Sequence, residues 1–596
     1  MITFKLFIPT AMKIDFLNRT FCLLFLFVLP GATLLYSTNS NDKDSSLPQR
    51  AVERVYITTD RDSYVSGETM WLSLFLTDAN KDHAMSAVSS IAYLELYNSG
   101  ALVLTFKMAV LNGRGSGSVE LPPSLPTGNY MIKAYTRQML GEDTPRFFQK
   151  MISVYNALTA DRVEGNVRVV KEKGAVSDSS HIGIMGKSAS DMGVGIAFGP
   201  AGRLIPAGEA LTFTVSNSGE KGITSSLSVF RKDSLSVRKY GTIMDCLQQR
   251  NNDGTGIIGS VVPDYEGEII KGRVISDKTE LLRDAIVFFS VAGERSRVYS
   301  TAVDSNGAFT FYTTPFYGDR DVVVEMPYAD STISISYELL DPFVKQAPEH
   351  IPNLCLDSTL AVSLMERSIE MQVGRRFRVD TLFEYLHRET DPLLKRDPVV
   401  YRLDDYVRFP VMREVVTEYI PQLRFRKVDR TDYLQVRMTN EFKSLVFARE
   451  NSLVLLDGIP LFNHEKILNY DPLRVESISI YTDVYNAGFS TFTGVVLFKT
   501  YKGNYPGLTL GGNAKIFDFR GALHPSRFTA ADVREVGNLP DLRSLLYWDP
   551  VLEVEAGGKR EVVVNTSSQK GGFYVVLEGM TVEGAPFLVI SEFAVK

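Results

Sequence analysis

Apolar and polar positions along the chain fall mainly into short runs of strand length. Arg54 to Thr59, Met70 to Leu76, Ala92 to Tyr97, Leu102 to Ala109, Gly117 to Leu121 and Tyr130 to Tyr135 are rich in β-branched and aromatic residues, with Ser-Gly, Asn-Gly and Thr-Gly-Asn turns between them. This rhythm predicts an antiparallel sandwich over 51–157. It resumes, after a charged strand candidate at Arg162 to Lys173, at Gly193 to Phe198, Leu211 to Ser216 and Ser226 to Lys232, predicting a second sandwich over 158–262. A third β module covers 265–338, where Asp304-Ser305-Asn306-Gly307 supplies a hairpin turn ahead of Phe309 and Phe311. The connector 339–398 carries helix-like stretches at Leu360 to Val373 and Asp380 to His387.

The pattern changes over 399–505. Met412 to Ile420 puts Val415, Val416 and Tyr419 toward one side, as a short helix stopped by Pro421 would. Leu423 to Val428 and Tyr433 to Met438 alternate apolar with charged residues like a half-buried hairpin. Leu453 to Leu456 is an unbroken apolar run ended by Asp457-Gly458, a dipeptide that tolerates the positive φ of a tight turn. Val475 to Tyr481 and Gly494 to Thr500 read as further strands, and the tail 506–596 is β-rich again. The expected fold class is mainly β: a multi-domain chain of antiparallel β-sandwiches with one small α/β domain.

Composition narrows the function. The chain has 596 residues, enough for several cores, and 64 Lys and Arg against 70 Asp and Glu, a balance that favours neither nucleic acid nor an anionic membrane surface. Lys13 and Arg19 precede the apolar run Thr20 to Tyr36, so 1–37 reads as a secretory signal and 38–50 as a polar linker. The alternative is an uncleaved membrane anchor, although Pro30-Gly31 interrupts the run. Past the signal only Cys246 and Cys355 remain, either as a disulfide or as two buried thiols.

Three resemblances follow from motifs. "RVYITTDRDSYVSGETMWLSLF" carries Val55, Tyr56, Thr59, Asp60, Arg61, Tyr64, Gly67, Glu68, Trp71 and Phe75, and is similar to the second macroglobulin-type domain at the front of α2-macroglobulin-like proteins. Asp60 and Asp62 there are either turn residues or a fragment of a calcium loop, and the turn is preferred because the other oxygen ligands are missing. The tail, through Tyr547, Trp548, Pro550, Gly558, Lys559, Gly572, Tyr574, Glu578, Gly579 and Gly584, also resembles a macroglobulin-like sandwich. Gly272-Arg273-Val274, Ala285-Ile286-Val287 and Thr301 through Phe311 resemble a carboxypeptidase regulatory-like domain, a prealbumin-type sandwich.

The third motif set, Asp457, Gly458, Pro460, Val475 to Ile480 with Glu476 and Ile478, Gly488, Gly494 to Lys499, and Gly503, resembles the second half of the plug domain of TonB-dependent outer-membrane receptors. The segment Asn486 to Phe492 departs from that family's loop pattern. A plug sits inside a barrel of about 22 strands, and the residues after Lys502 are too few for one. The resemblance therefore implies a plug fold without its barrel, and no TonB-binding strand is evident upstream.

Reactive constellations are missing from the pattern. The six histidines are far apart, no Gly-x-Ser-x-Gly elbow occurs, and neither mature cysteine has a thioester setting. Ile182 to Ser188 ends in Gly-Lys-Ser, but His181 stands where a phosphate loop needs glycine. We therefore expect no enzyme and no cofactor or metal. The expected function is that of an exported binding or accessory protein in the periplasm or outer membrane of a Gram-negative bacterium. Its partners would be outer-membrane or periplasmic proteins, with membrane association peripheral or through a partner. The rival expectation is a macroglobulin-like protease inhibitor, or an adhesion stalk, without thioester.

Overall fold

The structure, a computed structural model, describes residues 51–142, 146–170, 192–199, 204–235, 243, 261–278, 282–293, 295–327, 333–377, 383–386, 397–439, 444–447, 450–529 and 541–596. The signal and linker expected over 1–50, Cys246 and the 182–188 segment lie outside the described residues. Cys355 is a half-buried free thiol.

The first sandwich forms as the strand rhythm predicts. Strands Glu53–Thr59, Thr69–Asp78, Arg114–Glu120, Ala101–Leu111, Ile91–Asn98, Gly128–Thr136 and Phe148–Tyr155 pair antiparallel in that spatial order. They fold over a core that includes Ile57, Leu72, Leu74, Leu94 and Ile132.

The next stretch differs from expectation. Strands Val194–Phe198 and Ala210–Asn217 share a sheet with Lys559–Asn565. Strand Ile223–Arg231 lies between Leu545–Val554 and Gly571–Thr581. One core, with Phe213, Val215, Leu227, Leu577 and Phe593, serves both stretches. The segments expected as separate sandwiches at 158–262 and 506–596 thus make one joint sandwich. The physical reason is visible in Ile223–Arg231, which is buried along its length except at Arg231 and so needs neighbours on both edges and both faces.

The tail also lends Ala514–Arg520 to the small sandwich built from Ile269–Ile275, Ala308–Tyr312 and Ser336–Leu339 on one sheet, and Ile286–Val291, Arg297–Ala302 and Asp319–Glu325 on the other. The Asp304–Gly307 turn forms, with Asp304 Oδ1 accepting from Asn306 N and Ala308 N at 2.8 Å. Its flanking strands belong to opposite sheets, so it bridges the layers and does not close a hairpin. Within 162–173, the described strand is short, Val167–Val169, and runs parallel to Leu354–Leu356.

Where it is described, the connector contains one long helix, α1 (Ala361–Phe377), entered through a 3-10 turn capped by Asp357, whose carboxylate accepts from Thr359 N. The second expected helix is not observed where the chain is described. Glu384–Tyr385 is a strand that pairs with Ser526–Thr529, because that edge of the joint sandwich offers it a ladder.

Residues 399–500 form a small mixed unit. Its sheet runs Val399–Arg402, Val475–Asn486, Thr491–Thr500, Leu453–Leu456, Ile459–Pro460, with Leu453–Leu456 parallel to Thr491–Thr500. Helix α2 (Met412–Tyr419) and the hairpin Leu423–Val428/Thr431–Thr439 cover one face. The other face lies on Phe288 and Val298 of the small sandwich. This explains the unbroken apolar runs. Val454, Leu456, Val496 and Phe498 point to the unit's own core, while Leu453, Leu455, Val495 and Leu497 point to the neighbour. A strand buried on both faces cannot alternate.

Candidate functional site: a charged knot and the cleft beside α1

The macroglobulin-type motif supplies the polar centre of the molecule. Tyr56, Tyr64 and Trp71 sit on Glu53–Thr59, Ser63–Val65 and Thr69–Asp78, and Asp60, Arg61, Gly67 and Glu68 in the connections between these strands. Asp60 is fully buried; its Oδ1 accepts from Tyr64 Oη at 2.7 Å and Trp71 N at 2.9 Å, and its Oδ2 from Arg61 Nε at 3.0 Å. Burial holds the Asp60 carboxyl above its usual range, with Arg61 opposing the shift. Asp62 Oδ1 takes Lys150 Nζ at 2.9 Å. Asp62 Oδ2 is buried without a hydrogen-bond partner.

Glu68 closes the turn by accepting from Val65 N at 2.7 Å, and the same oxygen accepts from Arg367 Nη2 of α1, also at 2.7 Å. Arg367 Nε donates to the second Glu68 oxygen at 3.2 Å, and Nη2 also reaches Ser63 O at 3.0 Å. The pair is therefore bidentate and buried, Arg367 being only 1% exposed. Arg61 Nη1 donates to Ser544 Oγ at 2.9 Å, so the joint sandwich is tied in as well. Burial works against the Arg61 charge, but Glu68 and Asp60 hold its pKa above the ordinary arginine value. Gly67 has φ +95°, and a Cβ there would lie 3.0 Å from Met371 Sδ; the bare backbone lets α1 approach. Tyr56 Oη crosses to Glu578 Oε1 at 2.6 Å, joining two motif residues from opposite ends of the chain.

Beside this knot is a cleft of about 100 Å³, walled by Trp71, Phe528, Leu542, Leu545 and Met371, with Arg61, Arg375, Arg543 and Glu370 among its lining. Glu370 accepts from Ser544 N, and its carboxyl is pushed up to about 7, first by burial and then by Glu68. Arg543 holds Asp541 through Nε at 2.6 Å and Nη2 at 2.7 Å, while its buried Nη1 has no hydrogen-bond partner.

Helix α1 carries apolar residues on both sides, with Leu364 among those turned inward. Its inner side carries Arg367, Ser368 and Met371, and its outer side Val362, Met365, Ile369 and Phe377, which are 62%, 60%, 47% and 42% exposed. These four fall at helical spacing along one stripe. Arg367 and Glu370 were missed in the sequence, although the spacing of the stripe was there to be read.

The plug-type motif residues are placed together but serve architecture. Asp457 (φ +48°) and Gly458 (φ +88°) form the turn, and Asp457 accepts from Thr500 N at 2.7 Å, Thr500 Oγ1 at 2.5 Å and Tyr505 N at 2.6 Å. A Cβ on Gly458 would meet Ser296 Cβ at 2.7 Å and Gly293 N at 2.9 Å, so this turn docks the mixed unit on the small sandwich. Pro460 pairs with Leu455, and Ile478 is fully buried. Glu476 and Lys499 form a half-exposed ion pair at 3.5 Å. Gly494 (φ +82°) presses against Val436, and Gly503 (φ +63°) ends the last strand's turn in open space.

No family model matches the sequence, and no curated protein matches it. Among solved structures, the chain is similar to native E. coli alpha-2-macroglobulin at 10% identity and a TM-score of 0.23, covering 92% of this chain and 40% of that one. Salmonella alpha-2-macroglobulin reacted with methylamine gives 9% identity and a TM-score of 0.23, with 91% and 39% covered. E. coli alpha-2-macroglobulin activated by porcine elastase gives 8% identity and a TM-score of 0.23, with 91% and 44% covered. The chain spans about two fifths of the length of these proteins.

Proposed function

We propose that the chain is an exported, non-enzymatic binding protein of a Gram-negative envelope, which holds an outer-membrane or periplasmic protein along α1 and the cleft beside it. The observation that carries this reading is the exposed apolar stripe of α1. A helix that buries Arg367, Ser368 and Met371 on its inner face while leaving Val362, Met365, Ile369 and Phe377 in water has a second apolar stripe free for another molecule. The cleft next to it, walled by two aromatic rings, is the kind of small pocket that receives an anchoring side chain. The apolar run after Lys13 and Arg19 supports export. In this reading the macroglobulin-like, carboxypeptidase regulatory-like and plug-like modules act as a scaffold, since their motif residues are taken up in turns and seams.

A second contact is favoured by the edge strand Val399–Arg402, where Val399 and Val400 are 40% and 51% exposed and a partner strand can add to the sheet. The test is a photo-crosslinking residue at position 369, at 400, or at the exposed Lys570 as control, in intact cells. Attachment of one envelope protein from 369 and not from the control is the expected result. Equal labelling from all three positions, or none from 369, overturns the reading.

A further inference from the structure

The hairpin over the mixed unit is charged unlike the rest of the chain. Its sheet runs Leu423–Val428, Thr431–Thr439, Leu445–Phe447, so Leu423–Val428 is an edge strand. Of the seven residues from Arg424 to Arg430 four are basic and one, Asp429, is acidic, in a chain whose net charge is −6. Arg424, Arg426, Lys427 and Arg430 are all exposed. The register fixes what this edge presents. Arg424 lies opposite Gln435 and Arg426 opposite Tyr433. Leu434 N and Val436 N point away from the edge strand, donating to His464 Nδ1 and Ser452 Oγ at 2.8 Å. Hydrogen-bonded positions alternate in an antiparallel ladder, so Arg424 and Arg426 make the bonds to the inner strand, and the N–H and C=O groups of Phe425 and Lys427 lie along the outer edge. Leu423 and Phe425 turn their side chains to the unit's core. Arg424 and Arg426 therefore share the opposite face, about 7 Å apart at two residues' rise. Arg424 is held there, its Nε donating to Gln435 Oε1 at 3.0 Å and its guanidinium 4.2 Å from the centre of the Phe447 ring.

We propose that this edge takes up an extended acidic segment of a partner polypeptide as a further antiparallel strand, with carboxylates at alternate positions beside Arg424 and Arg426. The antiparallel direction continues the order of the sheet. A polypeptide is favoured over a polyanion because the edge offers backbone donors and acceptors in a row, which a strand matches and a phosphate chain does not. Charge selects among strands. A second copy of this edge, or any basic strand, is repelled, while carboxylates opposite the two arginines form stabilising cross-strand pairs. The site shares no residue with α1 or with the Val399–Arg402 edge, so it goes beyond the role proposed above and does not depend on it.

The test is fluorescence anisotropy of the whole protein with N-terminally labelled octapeptides. The parent probe is TEVEVEVT; the others replace its glutamates by glutamine, or carry N-methyl groups on every valine, or on every glutamate. In the proposed strand the glutamates stand beside the arginines, so the valine N–H groups point into the ladder and the glutamate N–H groups point out. The expected result is saturable binding of the parent, binding of the glutamine peptide weaker by about fivefold, loss of binding on valine methylation, and retention on glutamate methylation. Arg424→Gln/Arg426→Gln should bring the parent down to the glutamine peptide, with hydrogen exchange over 431–439 unchanged because both side chains are exposed. Equal binding of the glutamate and glutamine peptides by the unaltered protein overturns the charge selection whatever the variant does. A valine-methylated peptide that binds as well as the parent overturns the strand, and inorganic polyphosphate displacing it would assign the surface to a polyanion.

Discussion

Two of the seams between modules differ in how much of the contact is carried by buried charge. Where the mixed unit meets the small sandwich, Leu453, Leu455, Val495 and Leu497 lie on Phe288 and Val298, and Phe288 also packs on Phe462 with ring centres 4.5 Å apart. Where the first sandwich meets α1 and the joint sandwich, Trp71 packs on Phe528 and Leu545, and beside that cluster Arg367 meets Glu68, Tyr56 meets Glu578, Thr58 meets Ser226 and Arg61 meets Ser544. Apolar burial supplies adhesion at about 25 cal/mol per Å² and is indifferent to small shifts. Buried charges return little net stability, but each has one acceptable position, so the polar seam fixes geometry. Because α1 is fastened in part by its charge, some of its apolar residues are left over on the outside.

The sharpest way to break this contrast is to remove one charge. Arg367→Met removes the bidentate partner of Glu68, leaving it Val65 N and Arg61 at 3.6 Å, and should cost about 3 kcal/mol. The double variant Glu68→Gln/Arg367→Met should lose less than that single variant, since no unpaired charge remains. Tryptophan fluorescence in urea is the right readout, because Trp71 and Trp548 both belong to the small aromatic cluster at this seam. If the single and double variants unfold alike, the polar seam is not an electrostatic lock.

Next in size is the apolar seam. Leu455→Ala empties a fully buried site and should cost about 3 kcal/mol. The mixed unit contains no tryptophan, so the loss should appear as faster hydrogen exchange over 453–500 with the tryptophan transition unmoved. A matching shift in tryptophan unfolding would mean that the two seams open together, and would end the comparison.

These two seams also mark what was legible in the sequence. The runs Leu453 to Leu456 and Gly494 to Thr500 identified their strands, while the two buried faces behind their lack of alternation appear only in the structure. The neighbour on the second face, Phe288, comes from a module far earlier in the chain, and no local pattern names it. The "DRDSYVSGE" turn was readable as a turn, yet the partner of Glu68 sits 299 residues away on α1. A helix-like stretch was expected at Leu360 to Val373, but which side faces inward depends in part on a carboxylate that another module provides. The pairing of Ile223–Arg231 with strands beyond residue 544 failed for the same reason: strand rhythm tells how long a strand is and not which distant strand lies beside it.

A smaller effect is expected at the turn that docks the mixed unit. Gly458→Ala puts a methyl at φ +88° against Ser296 and Gly293, and should cost about 2 kcal/mol. The placement of the clash makes a specific demand: exchange should quicken on both sides of the seam, in 293–300 as well as 453–460. Quickening confined to 453–460 would assign the cost to the turn alone and remove the glycine from the docking argument.

The smallest and most discriminating test is pH, because the two regions should respond with opposite sign. At the polar knot, Glu370 has its pKa raised to about 7 by burial and Glu68, so the folded state binds more protons than the unfolded chain between about 4.5 and 7. Stability there falls as pH rises through that window. In the mixed unit, burial lowers His464 to about 4, and its Nδ1 accepts from Leu434 N at 2.8 Å. Between 6.5 and about 4 the unfolded chain binds the extra proton, so stability there falls as pH drops. Glu325 of the small sandwich, also raised to about 7 by burial, adds to the first trend in the whole molecule, so each contribution must be read as a difference between variant and parent. Glu370→Gln should flatten the loss toward neutral pH seen by tryptophan fluorescence by on the order of 1 kcal/mol, after solvent screening at the cleft mouth. His464→Gln should flatten the acid loss seen by exchange over 431–470. If both variants alter the same probe in the same window, the modules titrate as one body, and the polar knot cannot be loosened without the apolar seam following it.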